Sequence, residues 1–326
     1  MRDEGRLPPA KILPRSVLYN QYLKMVPQPF RVQNQEEMEL FFYSIYGNPF
    51  NYLLDEYDNG ILLDYGKHLE FLNKPRLKQS HTRLLLLVLS RCRERKVRTM
   101  WRELFSQFRR VYSVDVIFVL QNNDKWNDLV TDENAQFRDI IQLDHADNYF
   151  NIALSVISSL QYLTRYANQI EYVLKTDSDC FVNVTKIMTY LDFLTPSQPY
   201  FIGDCHCKGK YILGRRGCPP MEIVNATKRL PCYSYGGGYM LSANAIPKLM
   251  VAFRHLEYIA TNEDINMGRA WHLLDLQCHK VDNWLLLLQN ITDVSDYYIY
   301  HGKGRFDRIY DYYEQSILSL NSSGLL

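Results

Sequence analysis

From residue 83 onward, apolar runs alternate with polar stretches of helical character. Residues 84–90 form a continuous apolar run bounded by charged residues, which is typical of a strand buried on both faces of a sheet. Helices are predicted over residues 95–108 and 149–166. The other predicted strands are residues 114–120, 139–143 and 171–174, and a polar loop is predicted between the first and second of these three.

This alternation predicts an α/β fold. Strands that alternate with helices form a mostly parallel sheet with helices on both faces, here a Rossmann-like single domain over residues 81–326. Residues 1–80 contain several prolines and scattered aromatic residues, and we interpret them as a stem-like lead-in. Ligands of such sheets bind at the carboxyl ends of the strands. The richest acidic cluster of the chain follows the fourth predicted strand.

Composition limits the classes of function. Apolar residues make up 47% of the 326 residues and charged residues 22%, which is typical of a globular protein and excludes a largely disordered chain. The formal net charge of +1 gives no indication of a nucleic-acid partner. No apolar run reaches the ~18 residues that a membrane-spanning helix needs. The first residues lack the apolar core of a signal peptide, so a membrane anchor is not visible.

Cysteines and glycosylation sequons nevertheless indicate the secretory pathway. Four of the seven cysteines lie between residues 205 and 232, and in an oxidising compartment they would form disulfides. Asn-x-Ser/Thr sequons begin at Asn183, Asn225, Asn290 and Asn321. An alternative for the cysteine cluster with His206 is a zinc site, although the spacing fits no standard zinc finger.

Asp177 and Asp179 follow the fourth predicted strand directly. Residues two apart in an extended segment point to the same side, so both carboxylates can face one point. A hard divalent cation, Mn²⁺ or Mg²⁺, would relieve their repulsion and would leave room for the phosphate oxygens of a nucleotide-sugar. The alternative is an exposed acidic turn.

Three further segments have two interpretations each. Gly236–Gly237–Gly238 indicates either a close approach to a ligand or a plain hairpin turn. Asp264 precedes a helix-like stretch, so it is either a helix cap or a general base. His301 closes an apolar stretch and is either a metal ligand or an ordinary histidine of the surface or the core.

Taken together, these segments resemble glycosyltransferase family 31, the β-1,3-galactosyl- and β-1,3-N-acetylglucosaminyltransferases. The resemblance covers about 70% of the chain and departs from the family pattern at Met100, His145, Ser178, Ser234 and Tyr235. The matching blocks are residues 95–101, 133–151, 175–183, 233–242 and 262–268.

The resemblance implies a GT-A fold, an Mn²⁺-dependent reaction (Mg²⁺ being possible as well) that inverts the anomeric configuration, and a set of site residues. Asp177, Asp179 and His301 would bind the metal, with Asp179 the more direct ligand, and Asp264 would be the catalytic base. Donor-binding residues would be Arg98, Asp139, Lys175, Asp177 and Ser178. Residues near the transferred sugar and the acceptor would be Gly236, Gly237, Gly238 and Glu263.

The predicted function is therefore transfer of a hexose from a UDP-sugar to a glycan of a glycoprotein or glycolipid. Members of the family are usually type II membrane proteins of the Golgi, so the Golgi lumen is the expected compartment, with membrane contact only through an anchor. The alternative is a non-catalytic relative that binds glycans or acts as a chaperone. The sequence leaves open the donor sugar and the acceptor.

Overall fold

The fold was examined in a computed structural model. It describes residues 71–77, 81–148, 151–166, 168–207, 231–254, 263–287 and 294–322. Residues 1–70 of the predicted lead-in lie outside the described residues, so the boundary at residue 80 stays a prediction. Within the described residues, no helix is both long enough and apolar enough to cross a membrane.

The described residues form eleven strands and seven α-helices, with short 3₁₀ turns at 164–166 and 243–245. The strands are β1 (Phe71–Asn73), β2 (Thr82–Leu89), β3 (Val114–Asn122), β4 (Ile140–Ala146), β5 (Ile170–Asp177), β6 (Cys180–Val182), β7 (Phe201–His206), β8 (Tyr233–Ser242), β9 (Cys278–Lys280), β10 (Leu285–Leu287) and β11 (Ile299–His301). The helices are α1 (Arg95–Val111), α2 (Asn127–Phe137), α3 (Ile152–Leu163), α4 (Val184–Leu191), α5 (Ile246–Arg254), α6 (Glu263–Leu273) and α7 (Phe306–Ser322).

An eight-stranded sheet, ordered β1-β4-β3-β2-β5-β8-β7-β9, forms the centre of the molecule. The strands β4, β3, β2 and β5 run parallel to one another, while β8 pairs antiparallel with both β5 and β7. A small sheet of β10, β11 and β6 lies beside the carboxyl end of β5. The predicted α/β class, with a mostly parallel sheet flanked by helices, is confirmed.

Side-chain alternation along the central strands sends apolar residues to both faces of the sheet. Leu84, Leu86 and Val88 of β2 belong to a cluster with residues of α1 and α7. Leu85 and Leu87 belong to a second cluster, with residues of α3, α5 and α6. All five side chains are fully buried. Because both faces are covered, β2 has no polar face, which explains its continuous apolar run.

Two differences from the predicted elements have clear physical causes. The predicted polar loop contains α2, so that prediction was wrong. This helix has almost no apolar stripe; a buried Glu133, in ion pairs with two arginines of α1, attaches it to the molecule. The glycine run is not a hairpin turn, because Gly236, Gly237 and Gly238 lie inside β8.

Candidate active site

Two carboxylates and an imidazole meet where the central sheet borders the small one. Asp177 is the last residue of β5, Asp179 precedes β6, and His301 ends β11. Antiparallel pairing of β6 with β11 places His301 opposite Cys180, and the Gly302 N–H donates to the Asp179 carbonyl at 2.9 Å. Residues more than 120 positions apart are thereby held together by backbone pairing.

The His301 imidazole faces both carboxylates. Its Nε2 lies 3.6 Å from Asp177 Oδ2 and 3.6 Å from Asp179 Oδ1, and its buried Nδ1 has no hydrogen-bond partner among the described residues. Burial by itself would lower the pKa of His301, but the two carboxylates raise it. Burial raises the pKa of Asp179, and the charge of Asp177 adds to this effect although His301 opposes it. Two carboxylates thus face one imidazole at this point.

This donor set suits a hard divalent cation. Carboxylate oxygens are the ligands that Mn²⁺ and Mg²⁺ sites use, and the imidazole nitrogen is a further donor beside them. Ligand atoms of Asp179, Cys180 and His301 lie within 4.8 Å of one another. However, burial raises the pKa of the Cys180 thiol well above its usual value, and the thiol donates to the Gly237 carbonyl at 3.2 Å. Asp177 is therefore the better third ligand.

Ser178, between the two aspartates, turns away from the imidazole. Its hydroxyl donates to Glu94 Oε2 at 3.0 Å, and its N–H donates to the carbonyl of Leu89 at 2.8 Å. Trp101 Nε1 donates to the Ser178 carbonyl at 3.0 Å. These three bonds fix the turn that presents both aspartates. Glu94 is a residue that the sequence did not identify, because one exposed-looking glutamate in a charged run carries no signal.

Lys175 connects the carboxyl end of β5 to helix α6. Its Nζ lies 3.1 Å from Asp177 Oδ1 and 3.2 Å from Glu263 Oε2, and it also donates to the Gly236 carbonyl. The side chain is 3% exposed. Burial opposes its charge, but the two carboxylates keep the pKa of Lys175 raised. The Lys175 ammonium therefore links Asp177 of β5 to Glu263 of α6.

Glu263 is held on its other oxygen by Tyr239. The Tyr239 hydroxyl donates to Glu263 Oε1, and both side chains are buried. Burial raises the pKa of Glu263 to about 7, against the influence of Lys175. Tyr239 follows the three glycines directly in sequence, but no local pattern indicated that its hydroxyl would reach α6.

The three glycines of β8 make room for these neighbours. A Cβ on Gly236 would lie 3.3 Å from Glu263 Oε2, and one on Gly237 would lie 3.0 Å from His301 Cδ2. One on Gly238 would clash with Ile299 at 2.3 Å. The structure therefore favours the interpretation that the glycine run allows neighbouring groups to approach closely. A side chain at Gly237 or Gly238 would push against the His301 or Ile299 side chain of β11.

Asp264 lies in the first turn of α6, next to Glu263. The helix begins at Glu263, so Asp264 does not precede the helix as a cap would, although its Oδ1 accepts the N–H of Ile265 at 2.9 Å. Burial raises its pKa, and this burial outweighs the hydrogen bond and the charge of Lys175. A Cβ on Gly236 would come within 3.8 Å of the Asp264 Cβ, which places this carboxyl across the glycine strand.

The structure does not bring Arg98 and Asp139 into this cluster. Arg98 is fully buried, and all three guanidinium nitrogens donate to protein groups, among them Glu133 at 2.6 Å and the Arg91 carbonyl at 2.6 Å. Asp139 precedes β4 at the amino edge of the sheet and pairs with Arg102 at 2.7 Å. Asp177 lies at the opposite, carboxyl edge. Asp139 thus lies at the edge away from the other predicted site residues.

Two disulfides join the cysteines near β7. They are Cys205–Cys278 and Cys207–Cys232, while Cys92 and Cys180 are free and buried. Thiolates paired in disulfides cannot bind zinc, so the structure contradicts the zinc alternative for these cysteines. Cys218 and the sequons at Asn225 and Asn290 lie outside the described residues.

Comparisons with known proteins indicate the family of the chain. A family model described as galactosyltransferase matches residues 93–282, more than half of the chain. The chain is 28% identical over 212 residues to a Rattus norvegicus UDP-GalNAc:beta-1,3-N-acetylgalactosaminyltransferase 1, covering 62% of this chain and 63% of that protein. It is 28% identical over 148 residues to a Mus musculus N-acetyllactosaminide beta-1,3-N-acetylglucosaminyltransferase 4, covering 43% and 40%.

The match therefore spans between two fifths and two thirds of the length of these curated relatives. Among solved structures, the chain is similar to a glycosyltransferase involved in the glycosylation of the major capsid of PBCV-1. That similarity has a TM-score of 0.42 and 11% identity, and it covers 71% of this chain and 99% of the other.

Proposed function

Because the chain belongs to the galactosyltransferase family, we propose that it is an inverting, metal-dependent hexosyltransferase that uses a UDP-sugar. The acceptor is a hydroxyl of a glycan on a glycoprotein or glycolipid, and the compartment is the Golgi lumen. The observation that carries this proposal is the pairing of an acidic, metal-suited cluster with a separate buried carboxyl across the glycine strand. In sugar transfer, the diphosphate of the donor needs the metal on one side of the reacting carbon. The acceptor hydroxyl needs a base on the other side.

The first group is the metal cluster. Asp177, Asp179 and His301 would hold Mn²⁺ or Mg²⁺, which when bound neutralises the diphosphate and the charge that develops on the leaving UDP. The chain's own residues prepare that end of the site. Lys175 sets the position of Asp177, and Ser178 fixes the turn that carries both aspartates.

The second group is Asp264. In the proposed reaction the Asp264 carboxylate takes the proton of the acceptor hydroxyl as its oxygen attacks the anomeric carbon, and the bond from that carbon to the UDP oxygen breaks. Attack from the face opposite UDP gives a β-linkage. Burial raises the pKa of Asp264, which makes it a stronger base than an exposed aspartate. Lys175 and Glu263 hold the start of α6 against β5 and so set the distance between the two groups.

The proposal is tested by measuring release of UDP from UDP-galactose, UDP-N-acetylglucosamine and UDP-N-acetylgalactosamine, with Mn²⁺ or with a chelator. Wild type and Asp179→Ala are compared, with Asp311→Ala, at an exposed position of α7, as the matched control. We expect one donor to be consumed only with metal, by wild type and by Asp311→Ala. If wild type releases no UDP, even with mixed glycan acceptors, while UDP still binds, the non-catalytic alternative replaces the proposal.

A further inference from the structure

Three aromatic rings that the proposed mechanism does not use lie at the start of β8. His206, at the end of β7, stands 4.1 Å from Tyr235 and 5.9 Å from Tyr233, measured between ring centroids. The rings of Tyr233 and Tyr235 are 6.2 Å apart. All three residues are partly exposed. We refer to His206, Tyr233 and Tyr235 as the aromatic cluster.

Helix α6 places the aromatic cluster beside Asp264. An added Cβ on Gly268 would lie 2.6 Å from the Tyr233 Cβ, so Tyr233 packs directly against the helix at Gly268. Gly268 is four residues after Asp264, and residues four apart lie on the same helix face, with Cβ atoms roughly 5–6 Å from each other. Burial raises the pKa of Tyr233, and the nearby charge of Asp264 raises it further. The rings therefore border the carboxyl group that the proposed reaction uses as its base.

The aromatic cluster is held rigidly. His206 lies between Cys205, bonded to Cys278, and Cys207, bonded to Cys232, so a disulfide fixes the backbone on each side of it. A rigid ring loses little conformational entropy when a ligand packs against it.

A carboxylate stands at the edge of these rings. Asp204 Oδ2 lies 3.3 Å from His206 Nε2, and the Asp204 side chain is 26% exposed. An ionised carboxylate accepts hydrogen bonds from hydroxyl groups. The aromatic cluster and Asp204 thus combine apolar ring faces with a partly exposed hydrogen-bond acceptor.

We propose that the aromatic cluster with Asp204 binds a neutral hexose ring of the acceptor glycan next to the transferred sugar. One face of a pyranose ring presents C–H groups that pack on aromatic faces, while its hydroxyls point outward to polar partners. Placed beside Asp264, a sugar bound here would direct one hydroxyl at the base. This inference rests on the proposed transferase function, because only that function makes Asp264 the base.

The test uses the full chain and two readouts. Saturation-transfer NMR measures binding of methyl β-D-galactoside, methyl N-acetyl-β-D-glucosaminide and methyl N-acetyl-β-D-galactosaminide, without any donor. Steady-state transfer to the glycoside that binds gives the Michaelis constants for acceptor and donor. Tyr235→Leu keeps an apolar side chain without a ring, and Tyr235→Phe keeps the ring. Tyr310→Ala, 38% exposed on α7, is the control for loss of a surface tyrosine.

We expect wild type to bind at least one glycoside, and Tyr235→Leu to raise the acceptor KM by about five- to tenfold, from the loss of ring packing. The donor KM should stay at the wild-type value, and Tyr235→Phe and Tyr310→Ala should bind like wild type. If Tyr235→Leu binds the glycoside as well as wild type does, or if wild type binds no glycoside, the proposed role of the aromatic cluster is wrong. The proposed function is tested separately in the same samples by whether the donor is consumed only with metal, because donor hydrolysis needs no acceptor.

Discussion

In this site, charged side chains are buried next to one another, and each changes the properties of its neighbours. Lys175 is 3% exposed and lies within 3.2 Å of carboxylates from two elements, so its ammonium compensates charges that would otherwise repel each other. Burial raises the pKa of Asp264, although backbone hydrogen bonds, among them the one from the Ile265 N–H, and the charge of Lys175 oppose this. A raised pKa in a buried carboxyl next to a ligand site is typical of a residue that exchanges protons.

Replacing Asp264 with Asn tests that role directly. The amide fits the same space but cannot accept the hydroxyl proton, so turnover should fall by about 10²–10⁴-fold while UDP binding is retained. Turnover is measured by UDP release with acceptor present, and UDP binding by calorimetry. Asp275→Asn, exposed just after α6, is the control and should behave like wild type. Undiminished turnover in Asp264→Asn would remove the residue from the role of base.

Elements are joined by ion pairs where apolar contacts are scarce. Helix α2 buries few apolar side chains, but its Glu133 receives two hydrogen bonds from Arg98, at 2.9 and 2.6 Å, and lies 2.8 Å from Arg102. Both arginines belong to α1. Burial by itself would raise the pKa of Glu133, yet the two guanidinium groups lower it. The interaction therefore stabilises the fold only while Glu133 is ionised.

Glu133→Gln should lower the free energy of unfolding by roughly 3–5 kcal/mol at pH 7, because it leaves the fully buried Arg98 without its counter-charge. The pKa is lower in the folded state than in the unfolded state, so the stabilisation is present above about 4.5, the ordinary value, and is lost as the pH falls through the folded value. The difference in unfolding free energy between Glu133→Gln and wild type should therefore shrink as the pH falls below about 4.5.

Urea unfolding at a series of pH values measures this difference. The exposed Glu103→Gln on α1 is the matched control, and we expect a change within about 0.5 kcal/mol. A gap between Glu133→Gln and wild type that stays constant down to acid pH would contradict the ionised pair.

At the scale of the whole molecule, two disulfides connect segments that the sheet alone holds weakly. Cys205 and Cys278 join β7 to the edge strand β9 across 73 positions of sequence, and Cys207 and Cys232 join the end of β7 to the start of β8 across 25. A cross-link limits the unfolded chain more when the closed loop is longer. The edge that carries the aromatic cluster is therefore the part of the sheet most dependent on oxidation.

The double variant Cys205→Ser, Cys278→Ser should lose on the order of 2–5 kcal/mol of unfolding free energy, and reductant should lower the Tm of wild type. Peptide mapping without reductant should find both bridges. Cys92→Ser removes a free thiol, so its Tm should still fall with reductant as in wild type. A Tm that reductant leaves unchanged, with the mapped bridges intact beforehand, would show that they do not stabilise the fold.

The sequence by itself determined the four parallel strands of the central sheet and the position of the acidic motif. Continuous apolar runs predicted β2 and β3 within two residues at each end, since burial on both faces leaves a local pattern. The same reasoning placed Asp177 at the carboxyl end of a strand. It missed α2, because a helix held by one buried ion pair has no apolar periodicity to detect.

Only the tertiary structure decided which charges meet. Arg98 and Glu133 are 35 positions apart, and Tyr239 and Glu263 are 24 positions apart on different elements. Periodicity and spacing describe neighbours within a turn or a strand, so they carry no information on such pairs. Asp139 is different, because the predicted strand over residues 139–143 already placed it at an amino end, away from the carboxyl ends where ligands bind. Backbone pairing and burial between distant segments, and not any local pattern, bring His301, Lys175 and Glu263 to one point.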